Sequence, residues 1–436
     1  MKIMDSMMDI NSPIKLRRKY VNFDSAKMYF TTPSSFPSRR HSLNTNSYRA
    51  HKRNRQYGTI LLMGFATIFS MTSLSLMVAR NFGVSPGEVK QRVVHWPVAS
   101  RRLGSKSATV HVGEGPIKTF VLSNFARDKI YRQVAGLKVD SSKLLELESF
   151  LEESKEIVKE YLDPDILYAL KQLHNTSSPI SAVHFRNIPL DPYVPPNPTD
   201  GGVSLHKPTF VAEAMLTAMG ELSGSHVVGY SSEKAYSNPW IHEGFPRNSG
   251  GSALTKAAEL SFHQDMSYTE PPDVLGLVCV REGHDTEVQT ELIDNRELFE
   301  TLPESVVSLL RESRFQIKTS EWVDTSESGG NIVNNDRRPI LADAASLALP
   351  VDWENMIGLD PSAQDAVARL QHAIQSEAPK HYIHFAEGDM LLFSNVRVVH
   401  ARTPYKDLRF DGMDRVMYRS YFKKSLTKQQ RHRRMV

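Results

Sequence analysis

His263 and Asp265 stand two positions apart in "SFHQDMSY", ahead of the hydrophobic run "DVLGLVCVRE". An imidazole nitrogen and a carboxylate oxygen are both ligands for a divalent ion. On an extended strand, residues i and i+2 project to the same side of the pleat, so both groups can reach one ion. The triplet carries no weight alone, because with 16 His in the chain chance supplies about two His-x-Asp/Glu triplets. A distant second His would give it weight. Two His and one carboxylate on one face of an octahedron form the ligand set of non-haem Fe(II) oxygenases, with the other positions open for cosubstrate and oxygen. His381, His384 and His400 are candidates. Context favours His400: "GDMLLFSNVRVVHARTPY" reads as a turn, a buried strand, a second turn and a strand ending in His, a placement suited to a ligand at a cavity mouth.

Such a site also needs a cation for its cosubstrate. 2-Oxoglutarate chelates iron through its keto-acid end, and its far carboxylate calls for a fork of donors. "DGMDRVMYRSYF" supplies Arg415 and Arg419, fifteen and nineteen residues after His400. Four apart on an expected strand, they share a face.

The elements that must position these groups are legible in outline. "TVHVGEGPIKTFVLS" opens the body as strand, and 141–162 and "PDILYALKQLHN" carry helical spacing. "AVHFRNIPLDP" reads as a buried strand ending in a turn, and 207–224 as a helix closed by Gly224. Short strands follow: "SHVVGYS", "DVLGLVCVR", "RFQIKTS", "YIHFAEGDMLLFSN", "VRVVHARTP" and "RVMYRSYFKK", with one amphipathic helix over 361–378. Short strands separated by turns, with helices mostly in front, predict an α+β fold. Its core is a double-stranded β-helix, or jelly roll, with flanking helices.

Charge divides the chain. Residues 1–57 hold 12 Lys/Arg against 3 Asp, a net of +9, and the remainder is −5. The body therefore offers no basic surface for nucleic acid. The single cysteine, Cys279, excludes an intrachain disulfide and any Cys-based zinc site. Residues 1–57 are Ser-, Asn-, Arg- and Lys-rich without an apolar period and read as a disordered basic head. Within 58–80, residues 60–79 form twenty positions without a charge, long enough to cross a bilayer. "HKRNRQ" precedes that run and only Arg80 follows closely, so the positive-inside rule predicts a single-pass, type II membrane protein. An organelle-targeting presequence and a buried core helix are the alternatives. The expected organisation is head, anchor or targeting helix, catalytic domain over 85–425, and basic tail over 426–436.

"FHQDMSYTEPPDVLGLVCVRE", "GDMLLFSNVRVVHARTPY" and "RFDGMDRVMYRSYF" together resemble the clavaminate synthase-like Fe(II)/2-oxoglutarate dioxygenases of the taurine-dioxygenase superfamily. Within these the likeness is to the L-asparagine oxygenase and arginine hydroxylase group. It runs from "AVHFRNIPLDP" to about residue 425. The resemblance implies that His263, Asp265 and His400 bind Fe(II), and that Arg415 clamps the distal carboxylate of 2-oxoglutarate with Thr290 beside it. It implies that Arg419 holds the carboxylate of an amino-acid substrate, and that Asp352 and Glu354 in "LPVDWENMIGLDP" grip the substrate's side chain. The implied reaction consumes O2 and releases succinate and CO2, with hydroxylation, desaturation or ring closure at a C–H bond as outcomes. A peptidyl or lipid-linked amine at a membrane is an alternative substrate, and a non-catalytic binding domain an alternative role. Two departures stand out: Asp265 where the group's amino-acid hydroxylases commonly carry Glu in an "HTE" motif, and "HAR" where "HGR" is common.

Overall fold

The run Val274–Arg281 is buried at all eight positions, which a strand achieves only when both of its faces are covered. The computed structural model shows what covers them. It describes residues 110–112, 115–138, 144–198, 207–230, 238–247, 257–267, 270–317, 334–342, 346, 348–349 and 356–436. All lie within the unit His95–Val436. The head and the apolar run 60–79 lie outside the described residues. Among those described, no helix is long and apolar enough to cross a membrane.

In chain order the elements are β1 (Val110–Val112), β2 (Ile117–Val121), α1 (Asn124–Val134), α2 (Leu144–Glu160), α3 (Pro164–Gln172) and β3 (Ala182–Arg186). Then come α4 (Val211–Leu222), β4 (His226–Val228), β5 (His242–Gly244), β6 (Leu260–His263), β7 (Val274–Arg281) and β8 (Gln289–Asp294). Next are α5 (Asn295–Glu300), α6 (Glu304–Leu310), β9 (Phe315–Ile317), β10 (Asn334–Arg338), β11 (Met356–Gly358) and α7 (Pro361–His372). The chain closes with β12 (His381–His384), β13 (Met390–Ser394), β14 (Val398–Arg402), β15 (Val416–Lys423) and α8 (Lys428–Arg433).

The larger sheet runs β1-β2-β3-β13-β7-β15-β4, with β5 also on β15; the smaller runs β12-β8-β14-β6. Only β2 and β3 pair in parallel within these sheets. Alternation along each central strand sorts side chains into three cores. Val274, Val278 and Val280 of β7, with Leu392 of β13 and Phe422 of β15, meet Met215, Leu216 and Met219 of α4 on one face. Leu275, Leu277, Phe393 and Tyr421 point the other way, toward Leu292 of β8 between the sheets. Ile293 and Val399 back the smaller sheet against α5, α6 and α7. The two sheets thus enclose a space between them, as the sequence predicts for a double-sheet roll.

Helix α4 lies directly on the larger sheet because Gly220 lets it: a Cβ there would stand 2.0 Å from the Phe422 ring. Its N-terminus is held by Asp191 of the expected turn. That carboxylate accepts from the backbone N–H groups of Val211 (2.9 Å) and Ala212 (3.1 Å) and from Lys207 Nζ (2.5 Å). The predicted helix 207–224 therefore starts four residues late, since Lys207 and Thr209 bind Asp191 instead of continuing the helix. The basic segment 426–436, expected as a tail, is docked. Arg434 pairs with Glu148 (2.6 and 2.8 Å) and Glu221 (2.8 Å), and α8 carries a capping box from Thr427 to Gln430.

Lys207 also bonds Glu213 of α4 at 2.6 Å. Burial pushes the Glu213 carboxyl up to about 7, with Lys207 opposing the shift and Asp191 adding to it. The folded state then holds this proton more tightly than the unfolded chain, whose Glu titrates at its ordinary 4.5. The contribution is complete below the unfolded value and is lost as pH rises through about 7. Glu213→Gln removes the titration. Wild type should lose roughly 1–3 kcal/mol relative to the variant between about pH 5 and about pH 8, read by chemical unfolding of both.

Candidate metal centre

Strand β14 lies between β6 and β8, with His400 opposite His263 on one side and Leu292 on the other. This pairing brings the distant histidine to the triplet. Asp265 Oδ1 lies 3.1 Å from His263 Nε2 and 3.6 Å from His400 Nε2. The ligand atoms of all three lie within 4.8 Å of one another, and all three residues are buried. His381 instead bonds Glu297 at 2.7 Å, and His384 sits 3.9 Å from Glu282, so neither joins the cluster.

The donor set fits a divalent ion. His263 Nδ1 donates to the Ser261 carbonyl at 2.7 Å, which fixes the tautomer and leaves the Nε2 lone pair for a metal. Burial, with His263 adding, pushes His400 down to about 3, so its imidazole is neutral. Burial alone would raise the Asp265 carboxyl, but Arg419 and the two histidines overrule it and hold the group below the usual carboxylate range. Two imidazoles and one carboxylate, with no Cys among the ligands, suit Fe(II) and similar ions.

Asp265 does not lie on β6; it begins the turn that follows, and Met266 there takes a φ of 58°, in the left-handed region. The turn is held from across the site by Asn395, in the bend between β13 and β14. Asn395 Oδ1 accepts from the Asp265 N–H at 3.0 Å, and its Nδ2 donates to the Asp265 carbonyl at 3.0 Å and that of Pro272 at 3.2 Å. Gln264 donates to the Asn395 carbonyl at 2.7 Å. Two residues on, Arg397 bonds Asp294 through Nε at 3.0 Å, tying the same bend to the end of β8.

The cluster opens onto a cavity of about 640 Å³, open mouth included, walled by both sheets. The smaller sheet contributes Thr290 and Arg402, which face each other across β8 and β14. The larger contributes Arg415 and Arg419, with Leu275, Leu277 and Met417 between. Arg415 lies just before β15, anchored by Nε to the Glu282 carbonyl (3.1 Å) and by Nη2 to that of Phe385 (3.2 Å). Gly283 makes this seat possible: its φ is 77°, and a Cβ there would stand 2.3 Å from the Arg415 backbone nitrogen. Arg419 donates from Nη1 to Asp265 Oδ2 at 2.9 Å. The structure thus gathers His263, Asp265, His400, Thr290, Arg415 and Arg419 around one cavity. Asp352 and Glu354 lie outside the described residues. Asn395, read in the sequence only as part of a turn, escaped notice because its partners are 130 residues away.

Residues 209–421 match the family described as taurine catabolism dioxygenase TauD, TfdA. The matched stretch spans His263, Asp265, Thr290, His400, Arg415 and Arg419. Clavaminate synthase 2 of Streptomyces clavuligerus is 28% identical over 286 residues, covering 64% of this chain and 84% of that protein. Asparagine oxygenase solved with Fe(II), 3-hydroxyasparagine and succinate is similar in structure, with a TM-score of 0.58 at 18% identity over 72% of this chain and 96% of that one. The non-haem iron oxygenase OrfP with Fe, succinate and dihydroxy-L-Arg gives 0.61 at 19% identity with the same coverage. These two likenesses establish the dioxygenase fold. The jelly roll expected from the sequence is met, and the family match agrees with the resemblance read there.

Within this dioxygenase, Asn395→Ala should leave the three ligands present but loosely aimed, weakening Fe(II) binding by roughly 10- to 100-fold. His263→Ala should weaken it further. Anaerobic titration of each protein with Fe(II), followed by calorimetry, checks the order.

Proposed function

We propose that the chain oxidises a C–H bond of a small amino acid or amino-acid derivative, as an Fe(II)/2-oxoglutarate-dependent oxygenase. The observation that carries this reading is the meeting of His263, Asp265 and His400 in a cavity whose other wall presents Arg415 and Arg419. Iron and 2-oxoglutarate, when bound, supply with O2 the oxidising power for an unactivated C–H, releasing succinate and CO2.

The chain's own residues do the positioning. His263, Asp265 and His400 would hold the ion. Arg415, fixed by two carbonyls, offers a rigid guanidinium to the distal carboxylate of 2-oxoglutarate, with the Thr290 hydroxyl on the opposite wall. Leu275, Leu277 and Met417 keep water from the space between. Arg419 is the proposed contact for the substrate carboxylate, and Asp352 and Glu354 for its side chain. The amino-acid class draws support from the relatives, whose structures hold hydroxylated asparagine or arginine beside iron and succinate. Hydroxylation is the default outcome. The apolar run 60–79 with its basic flank supports anchoring in a membrane, which extraction of the full chain from membrane pellets with alkaline carbonate tests.

Succinate release by the full chain with Fe(II) and 2-oxoglutarate, screened against free amino acids and N-substituted derivatives, tests the activity. Stimulation by one or more of them is expected. Absence of both turnover and metal-dependent 2-oxoglutarate binding would sink the reading, and turnover on peptides alone would move the substrate class. Arg415→Gln should raise KM for 2-oxoglutarate by roughly 10- to 100-fold, the loss expected for charged hydrogen bonds, and affect kcat much less.

A further inference from the structure

His242 is a buried residue of β5 for which the sequence gives no signal. It lies opposite Arg419 in the β5–β15 pairing. Its Nε2 faces the Pro239 carbonyl at 3.2 Å and its Nδ1 faces Arg419 Nη2 at 2.9 Å. The carbonyl can only accept, so Nε2 carries the proton and Nδ1 accepts from the guanidinium. Burial and the neighbouring Arg419 both hold His242 well below the ordinary imidazole range, which keeps that acceptor available.

Arg419 is thereby gripped at both terminal nitrogens, Nη2 by His242 and Nη1 by Asp265 Oδ2. Its flat face stacks on Tyr421 at 4.7 Å, and Tyr421 meets the His242 ring edge-on at 5.3 Å. Tyr421 in turn meets Tyr230 edge-on at 5.2 Å, and the Tyr230 hydroxyl donates to the Glu270 carbonyl at 2.7 Å. The guanidinium has one plane and one direction. With Oδ2 taken, Asp265 presents Oδ1 alone to His263 and His400.

We infer that His242 is a positioning residue for the metal centre: through Arg419 it holds the outer oxygen of Asp265, so that the carboxylate offers a single oxygen to the ion. This rests on the oxygenase reading. It adds that the metal carboxylate in this chain is supported by a strand of the opposite sheet, through a histidine that touches neither the ion nor the cosubstrate.

The test is a double-mutant cycle on the full chain, read by anaerobic Fe(II) titration and by the visible absorption band of the Fe(II)–2-oxoglutarate complex. His242→Leu should weaken Fe(II) binding by roughly 10- to 100-fold and shift the band, with KM for 2-oxoglutarate, which Arg415 governs, unchanged. His242→Asn, which keeps an acceptor near the Nδ1 position, should recover binding to within a few-fold of wild type. In an Arg419→Gln background, His242→Leu should cost nothing more. Fe(II) affinity and band equal to wild type in folded His242→Leu would overturn the inference. So would losses from His242→Leu and Arg419→Gln that simply add. If His242→Leu fails to fold, His242→Asn against Arg419→Gln decides: an Asn variant no better than the Arg419 variant refutes it. A wild-type protein without the band removes the oxygenase reading and this inference together, whereas a wild-type band unmoved by His242→Leu removes the inference alone.

Discussion

The register of β14 between β6 and β8 is the constraint from which the site follows. His400 faces His263 and Leu292, and Arg402 faces Thr290. Side chains alternate along a strand, so a slip of one residue would send His400 to the outer face of the smaller sheet and bring the Val399 side chain toward the cavity. Three kinds of contact resist the slip. Val399 and Ala401 are committed to the core behind the sheet. Asn395 ties the bend before β14 to the Asp265 backbone, and Arg397 ties it to Asp294. The placement of the two histidines is therefore a consequence of ladder pairing, and that of Asp265 a consequence of the turn that Asn395 holds.

Charge balance imposes a second constraint. Asp265 is buried and ionised, and a buried charge without a partner is costly. Arg419 meets that need from the opposite sheet, so the two walls of the cavity are joined by an ion pair as well as by apolar contact. Arg415 adds a further buried cation at the same wall. Binding a divalent ion leaves this space with a clear positive excess over Asp265. A cosubstrate with two carboxylates would offset that excess, in keeping with the role proposed for Arg415. The pairing of metal and dianion is thus written into the local charge as well as into the shapes of the residues.

How much of this was legible follows from where each signal resides. Strands buried on both faces, such as β7 and β13, announce themselves as apolar runs, and α2, α3 and α7 show helical spacing. Strands β5 and β6 have three and four residues, too few to establish a period, and α5 and α6 are short segments that a strand-rich context hides. The cluster of His263, Asp265 and His400 was legible because the order and flanking residues of its members are informative. Asn395 and His242 act only through partners far away in sequence, so nothing local marks them. The docked C-terminus was hidden for the same reason: Arg434 reads as one more tail charge until Glu148 and Glu221 are brought beside it.

Asp265 in place of the Glu common among related hydroxylases gains a structural context. Removing one methylene withdraws the carboxylate by roughly one C–C bond length, about 1.5 Å, toward its own turn. A group from the opposite sheet must then reach further to touch it. Arg419 makes that reach, and a long flexible side chain holds one direction only if its other contacts fix it. The ring of Tyr421 supplies the plane and His242 supplies the second point of attachment. A shorter acid, an arginine fixed on both sides and a buried neutral histidine therefore form one mutually dependent set. Lengthening Asp265 while leaving the other two in place would drive its carboxylate into the guanidinium that now caps it.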